Sequence, residues 1–136
     1  RNSRVAQKVV VTLVDDLDES EADETVEFGI DGSSFEIDLS DANAAKLRDM
    51  MVATVESGTA TSAQIPGVDV GAKTETAQST EDRPPYAWFV ALAPADDPQV
   101  AVAVVVESSN TARNEIAGGR LAGPIARSVI EAVLGE

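Results

Sequence analysis

Residues 15–24, Asp-Asp-Leu-Asp-Glu-Ser-Glu-Ala-Asp-Glu, are the densest run of side chains able to do chemistry in this 136-residue chain. Asp16, Asp18, Ser20, Glu24 and Glu27 fall at positions one, three, five, nine and twelve of a twelve-residue calcium loop, where oxygen ligands belong. Position six should be glycine for the sharp turn and is Glu21; position eight should be apolar and is Asp23. The flanking residues read as strands rather than helices. The run is therefore expected to be a solvated acidic linker, not a metal site. Elsewhere the means are few. The chain has no histidine and no cysteine. That removes His-based catalytic triads, the commonest general base, ordinary zinc and copper sites, and disulfides. Lys73, with Glu75 as its expected neighbour, is suited at most to weak retention of a carboxylate. No cofactor is expected.

The net charge of −14 opposes binding to nucleic acid or to anionic lipid. Residues 1–48 carry 12 acids against 5 bases, and residues 49–136 carry the same, so neither part offers a basic patch. No apolar run reaches membrane-spanning length and no signal-peptide pattern opens the chain. Residues 1–5, which begin Arg-Asn-Ser-Arg, are expected to be cloning residue outside the fold.

The elements that must position these side chains can be read from periodicity. Lys8–Val14 is rich in β-branched residues and predicts a strand. Val26, Phe28 and Ile30 alternate with polar neighbours, as do Phe35, Ile37 and Leu39; turn chemistry at Asp31-Gly32-Ser33-Ser34 joins them into a hairpin. Residues 40–58 predict one amphipathic helix. Ala44, Leu47, Met51 and Val55 share its apolar face; Asn43, Lys46, Asp49 and Glu56 point away. Ser40 suits the N-cap and Gly58 the stop. Val68–Gln78 predicts a strand with one wet face. A polar, Pro-rich loop follows at Glu81–Pro85. Tyr86–Leu92 and Gln99–Val106 are apolar on both parities and predict antiparallel interior strands covered on each face. A last helix is expected over Pro124–Leu134, burying Ile125, Val129, Ile130 and Val133. The expected fold is α+β, an antiparallel sheet packed with helices in the order βββα-βββα.

Two resemblances divide the chain. The runs A-Q-K-V-V-V-T-L-V-D-D-L-D, A-D-E-T-V-E-F-G-I-D-G and S-F-E-I-D-L-S-D-A-N-A-A-K-L-R, about residues 6–48, resemble the N-terminal dimerisation domain of the actinobacterial H-NS-like nucleoid protein, a xenogeneic silencer. The resemblance implies a sheet-and-helix homodimer. In that family DNA is bound by a separate basic Arg-Gly domain, which has no counterpart here, so nucleic acid is not an expected partner.

From about Leu47 to Leu134 the chain resembles the C-terminal part of a class B penicillin-binding protein transpeptidase domain. L-R-D-M-M-V-A-T-V-E-S-G-T-A-T, I-P-G-V-D-V-G-A-K-T-E-T-A-Q, Y-A-W-F-V-A-L-A-P and G-G-R-L-A-G-P-I-A-R carry the likeness. Leu47-Arg48-Asp49 suits both families, which places the join there. The resemblance implies three active-site motifs: Ser-x-x-Lys with the acylated serine, Ser-x-Asn, and Lys-Thr-Gly. No Ser-x-x-Lys occurs in the sequence. Ser108-Ser109-Asn110 matches the second formally but follows the last strand and reads as a turn. Lys73-Thr74-Glu75-Thr76 is a degenerate remnant of the third, with Glu75 in place of the glycine. In the family the final strand is covered by the domain's first strand. Here one strand of the hairpin, or a second chain, is expected to pair along Gln99–Val106.

The leading expectation is an artificial or recombined chimera, residues 6–48 and 49–136 folding together as one domain, with no catalytic activity and no small-molecule substrate. The alternative is a self-association module that keeps the homodimerisation of the first segment. Residual β-lactam binding at the Lys73 strand is the remote third.

Overall fold

The computed structural model describes residues 8–30, 33–78, 80 and 82–135. The expected cloning residues 1–5, and Asp31 and Gly32 of the hairpin turn, lie outside the described residues. The class is α+β, with a two-stranded and a three-stranded antiparallel sheet. Two compact units are present, Arg1–Lys46 and Leu47–Glu136. The division falls beside the join at Leu47 to Asp49, in a chain expected to fold as one domain.

In the first unit, β1 (Glu24–Ile30) and β2 (Ser33–Leu39) form the expected hairpin, with Val26 opposite Ile37 and Phe28 opposite Phe35. Helix α1 (Asp41–Glu56) follows at once and runs on into the second unit. Ser40 caps it: its Oγ accepts the Asn43 N–H at 3.4 Å. Lys8–Val14 is not a strand. Its contact with the rest is a single bridge between Val14 and Glu21, and Val9, Val10 and Val11 are exposed. β-branched residues favour an extended chain, but a strand exists only against a partner, and none is supplied among the described residues.

In the second unit, β3 (Gly71–Ala77), β4 (Tyr86–Ala93) and β5 (Val100–Val106) form an antiparallel sheet in that spatial order. Thr74 faces Phe89, and Phe89 faces Val104. β3 starts later than expected because Ile65-Pro66-Gly67-Val68 is a tight turn. Val68 N–H donates to Ile65 O at 3.2 Å, and Gly67 takes φ +80°, which suits glycine. One face of the sheet is covered by α2 (Gly118–Leu121), α3 (Gly123–Leu134) and a 3₁₀ turn at Thr61–Ala63. Phe89, Ala91, Ala93, Ala122, Ala126 and Ile130 centre that core, with Val55 from the end of α1. Small residues dominate it, so the layers approach closely.

Three expectations are corrected here. No strand of the hairpin pairs with β5; the two sheets are separate. β1 and β2 are sequence neighbours, whereas pairing with β5 closes a loop of about 60 residues. Nor are β4 and β5 covered on both faces. Ala87, Phe89, Ala91 and Ala93 of β4 are buried on one parity while Val90 is exposed, and Ala101, Ala103 and Val105 of the edge strand β5 are exposed. Finally, of the expected α3 stripe Ile130 is buried, beside Gly123 and Ala126, whereas Ile125, Val129 and Val133 are 47%, 40% and 59% exposed. The sheet surface under α3 is met by the face with the smallest residues. Pro124 sits in the first turn, as expected, and Gly135 closes the helix at φ +78°.

Candidate functional site

Strand alternation places Lys73 and Glu75 on one face of β3 and Thr74 and Thr76 on the other. Lys73 Nζ lies 3.6 Å from Glu75 Oε2, and both side chains are largely exposed, 63% and 65%. Lys73 also donates to the Thr74 carbonyl. Glu75 Oε1 accepts the Thr76 N–H at 3.0 Å. Thr74 Oγ1 shares a hydrogen bond of 2.6 Å with Thr59 Oγ1. β3 is an edge strand, so a peptide-like molecule adding along it would meet a carboxylate that already holds Lys73 and the Thr76 amide. The ammonium can place a positive charge there, but water and Glu75 screen it. Lys73 is held beside Glu75, and the Thr74 hydroxyl bonds that of Thr59 rather than a base.

Ser108-Ser109-Asn110 follows β5, on the strand farthest from β3. Ser109 Oγ accepts the Thr111 N–H at 3.3 Å, the local pattern of a turn. The triplet thus follows the last strand as a turn, as the sequence reading expects.

Close backbone packing supports the β3 strand from behind, and this the sequence reading missed. A Cβ on Gly118 would meet the Trp88 carbonyl oxygen at 2.1 Å and that of Glu75 at 2.6 Å; one on Gly119 would meet Thr59 O at 1.9 Å. The Gly-Gly pair is thus what lets α2 lie on the backbones of β3 and β4. Ser62 Oγ donates to Gly119 O. A cavity of about 440 Å³ opens at the end of β3, lined by Thr76, Gln78, Pro85, Arg113, Asn114 and Ile116. The Arg113 guanidinium there donates to the carbonyls of Thr80 and Arg83. A larger one, about 610 Å³, includes Val55, Ile65, Val70, Glu56, Asp69 and Arg127 in its walls.

In the first unit the acidic run is solvent-exposed at residues 16–21, 23 and 24, as expected, but it is a folded loop rather than a linker, anchored by a buried carboxylate. Asp15 is 1% exposed. Its carboxylate accepts N–H groups from Ser40 (2.6 Å) and Leu17 (2.8 Å) and the Asn43 amide (2.9 Å). Asn43, expected to point outward, is buried, and its amide also reaches Asp18 at 2.9 Å. Asp16 accepts the Asp38 N–H and Asp23 the Asp41 N–H, both at 2.8 Å. The Ser40 amide above all, then those of Leu17 and Asn43, holds the Asp15 carboxyl well below the usual carboxylate range. Ser20, by hydroxyl and amide, and then Asn43 lower Asp18. Of the calcium-spaced residues, Asp16, Asp18 and Ser20 stay on this loop, while Glu24 and Glu27 are in β1. No group of three or more acids among the described residues converges on a shared point for a metal. The missed signal was the pairing of an early Asp with an Asn three residues past the helix cap.

Residues 5–62 match the family described as the Lsr2 dimerization domain. The remainder finds relatives among cell-wall enzymes. The peptidoglycan D,D-transpeptidase PbpA of Mycolicibacterium smegmatis is 48% identical over 96 residues, 68% of this chain and 19% of that protein. PbpA of Mycobacterium tuberculosis is 48% identical over 94 residues, again 19% of its length. The chain therefore spans about a fifth of these relatives. Among solved structures, penicillin-binding protein A from M. tuberculosis, a ceftriaxone acyl-enzyme complex, aligns with 42% identity and a TM-score of 0.62 over 74% of this chain and 23% of that one. The transpeptidase domain of FtsI4 from Legionella pneumophila aligns with 33% identity and a TM-score of 0.64, over 71% and 37%. The chain is thus a composite, one segment matching the Lsr2 dimerization domain and the other similar to a part of the peptidoglycan D,D-transpeptidases.

Proposed function

We propose that the chain is a recombined protein that carries out no catalysis, its second segment supplying a fold without the chemistry of its relatives. The carrying observation is the β3 strand. Lys73 is tied to Glu75, Glu75 takes the Thr76 amide, and no Ser-x-x-Lys exists anywhere in the sequence to provide an acylated serine. Acyl transfer needs a nucleophile and a base to activate it. Intact-mass measurement after incubation with a β-lactam tests this reading. An unchanged mass is expected; a mass raised by one bound β-lactam would overturn it.

A second reading is favoured by the match to the Lsr2 dimerization domain at residues 5–62. In it the first segment retains self-association, and a homodimer is the chain's partner. The net charge of −14 supports the absence of nucleic acid from the partners. Among the described residues no helix is long and apolar enough to cross a membrane. Light scattering over a concentration series reads the association, and a constant monomer mass would contradict it.

A further inference from the structure

β5 has a partner on one side only. Among the described residues no strand pairs with its outer edge. Its sequence, Val-Ala-Val-Ala-Val-Val-Val, contains none of the devices that protect edges, neither lysine nor proline, and no bulge interrupts its seven-residue register with β4. We propose that this edge, together with the outer flank of α3, docks a second copy of this chain, strand β5 against strand β5 about a two-fold axis at Ala103.

The register follows from the sequence. Centred on Ala103, an antiparallel pair sets Val100 against Val106 and Val102 against Val104 on the core face, and Ala101 against Val105 on the other. Gln99 meets Glu107 at both ends. A two-residue slip that centres on Val104 brings Glu107 against the apolar Ala101 instead, so the placement of Glu107 favours the Ala103 alignment over that slip. The helix layer agrees. α3 lies over β5, and its Arg127 flank lines the larger cavity with Ile65 and Val70, on the side where the chain enters β3. Ile125, Val129 and Val133 recur every four residues on the opposite flank, away from β3, and are the exposed apolar stripe of the helix. Two-fold pairing of β5 brings the two stripes to one seam. A seven-residue strand is about 24 Å long, and a strand layer plus a helix layer is about 20 Å high, so the contact buries on the order of 1,000 Å² in total. That is the size at which a specific interface begins. The backbone hydrogen bonds of the new β5–β5 ladder add to it.

The surface is built from residues of the second segment alone, so it is tested independently of the self-association proposed above. The test is light scattering of the full chain over a concentration series, with A103K, A103E and their equimolar mixture. Ala103 is exposed and faces Val90, so either charge leaves the monomer intact but meets its own copy at the axis. Each variant alone is expected to weaken the association by about tenfold or more, and the mixture to restore it by setting Lys against Glu. V129K, on the surface of α3, disrupts the same seam without altering the strand. If the first segment also associates, the unsubstituted chain grows beyond a dimer with concentration and A103K stops at the dimer. If it does not, the unsubstituted chain is a dimer and A103K a monomer; that result upholds the β5 seam and sinks first-segment association. A mass unaffected by A103K and V129K, or a mixture no heavier than its components, overturns the proposal. Pairing at β5 by residues 8–14 of another copy would show as loss of association in A103K without rescue by the mixture, and so also overturns it.

Discussion

Asp15 shows what a single residue does in the first unit. One buried carboxylate ties the acidic loop to the start of α1 through the Ser40 amide and Asn43. Its folded-state acidity is raised, so the sign of the pH effect is fixed. The stabilisation is complete above the ordinary aspartate value, about pH 4, and is lost as pH falls from there towards the lower folded value. Acid unfolding followed by circular dichroism should therefore begin below about pH 4, and D15N should remove that part of the pH dependence while lowering the Tm at neutral pH. Glu19 is the other informative position: it holds φ +63°, the left-handed region where side chains are disfavoured. E19G should raise stability by about 0.5–1 kcal/mol in urea unfolding. At the β3 edge, K73A should leave stability within about 0.5 kcal/mol, as an exposed ion pair does.

Among the elements, the helices reveal how far periodicity can be trusted. The hairpin and both main helices were legible because their apolar residues alternate or recur at the right spacing, and β4 because it is a short continuous apolar run. Which face of α3 is buried was not. Three of its large apolar residues, Ile125, Val129 and Val133, lie outside, because the sheet accepts the face with Gly123, Ala126 and Ile130. Size misled where close approach decided. Ile130 is fully buried and Val133 is not, so I130A should cost about 2–5 kcal/mol and V133A well under about 1 kcal/mol in denaturant unfolding. G118A should cost about 1–3 kcal/mol or more, since the new methyl strikes two backbone oxygens. Equal costs for I130A and V133A would mean that the α3 packing is wrong. Lys8–Val14 failed as a strand for a different reason: propensity acts only where a partner completes the ladder.

Across the whole molecule, the composite character was the most legible feature and the arrangement of side chains the least. Motif order alone placed a change of character at Leu47 to Asp49; the compact units divide between Lys46 and Leu47, and the match to the first family runs on to residue 62. The altered run Lys73 to Thr76 was readable as well, because Glu75 stands where the resemblance implies a glycine. The Asp15–Asn43 clamp was not, since it joins residues 28 positions apart that have no shared spacing rule. Composite chains test whether local consistency suffices to fold, and here each segment keeps the elements that its own sequence specifies, Lys8–Val14 excepted. That both do so at once in one chain is the claim on which the rest depends. Amide hydrogen exchange read by mass spectrometry tests it most directly. Protection is expected along β2 and the Asp15–Asp23 loop, and along β4 and α3, while residues 8–13 exchange at once. Fast exchange throughout Glu24–Leu39 beside a protected β4 would contradict it, because the first segment would then have lost its fold on joining the second.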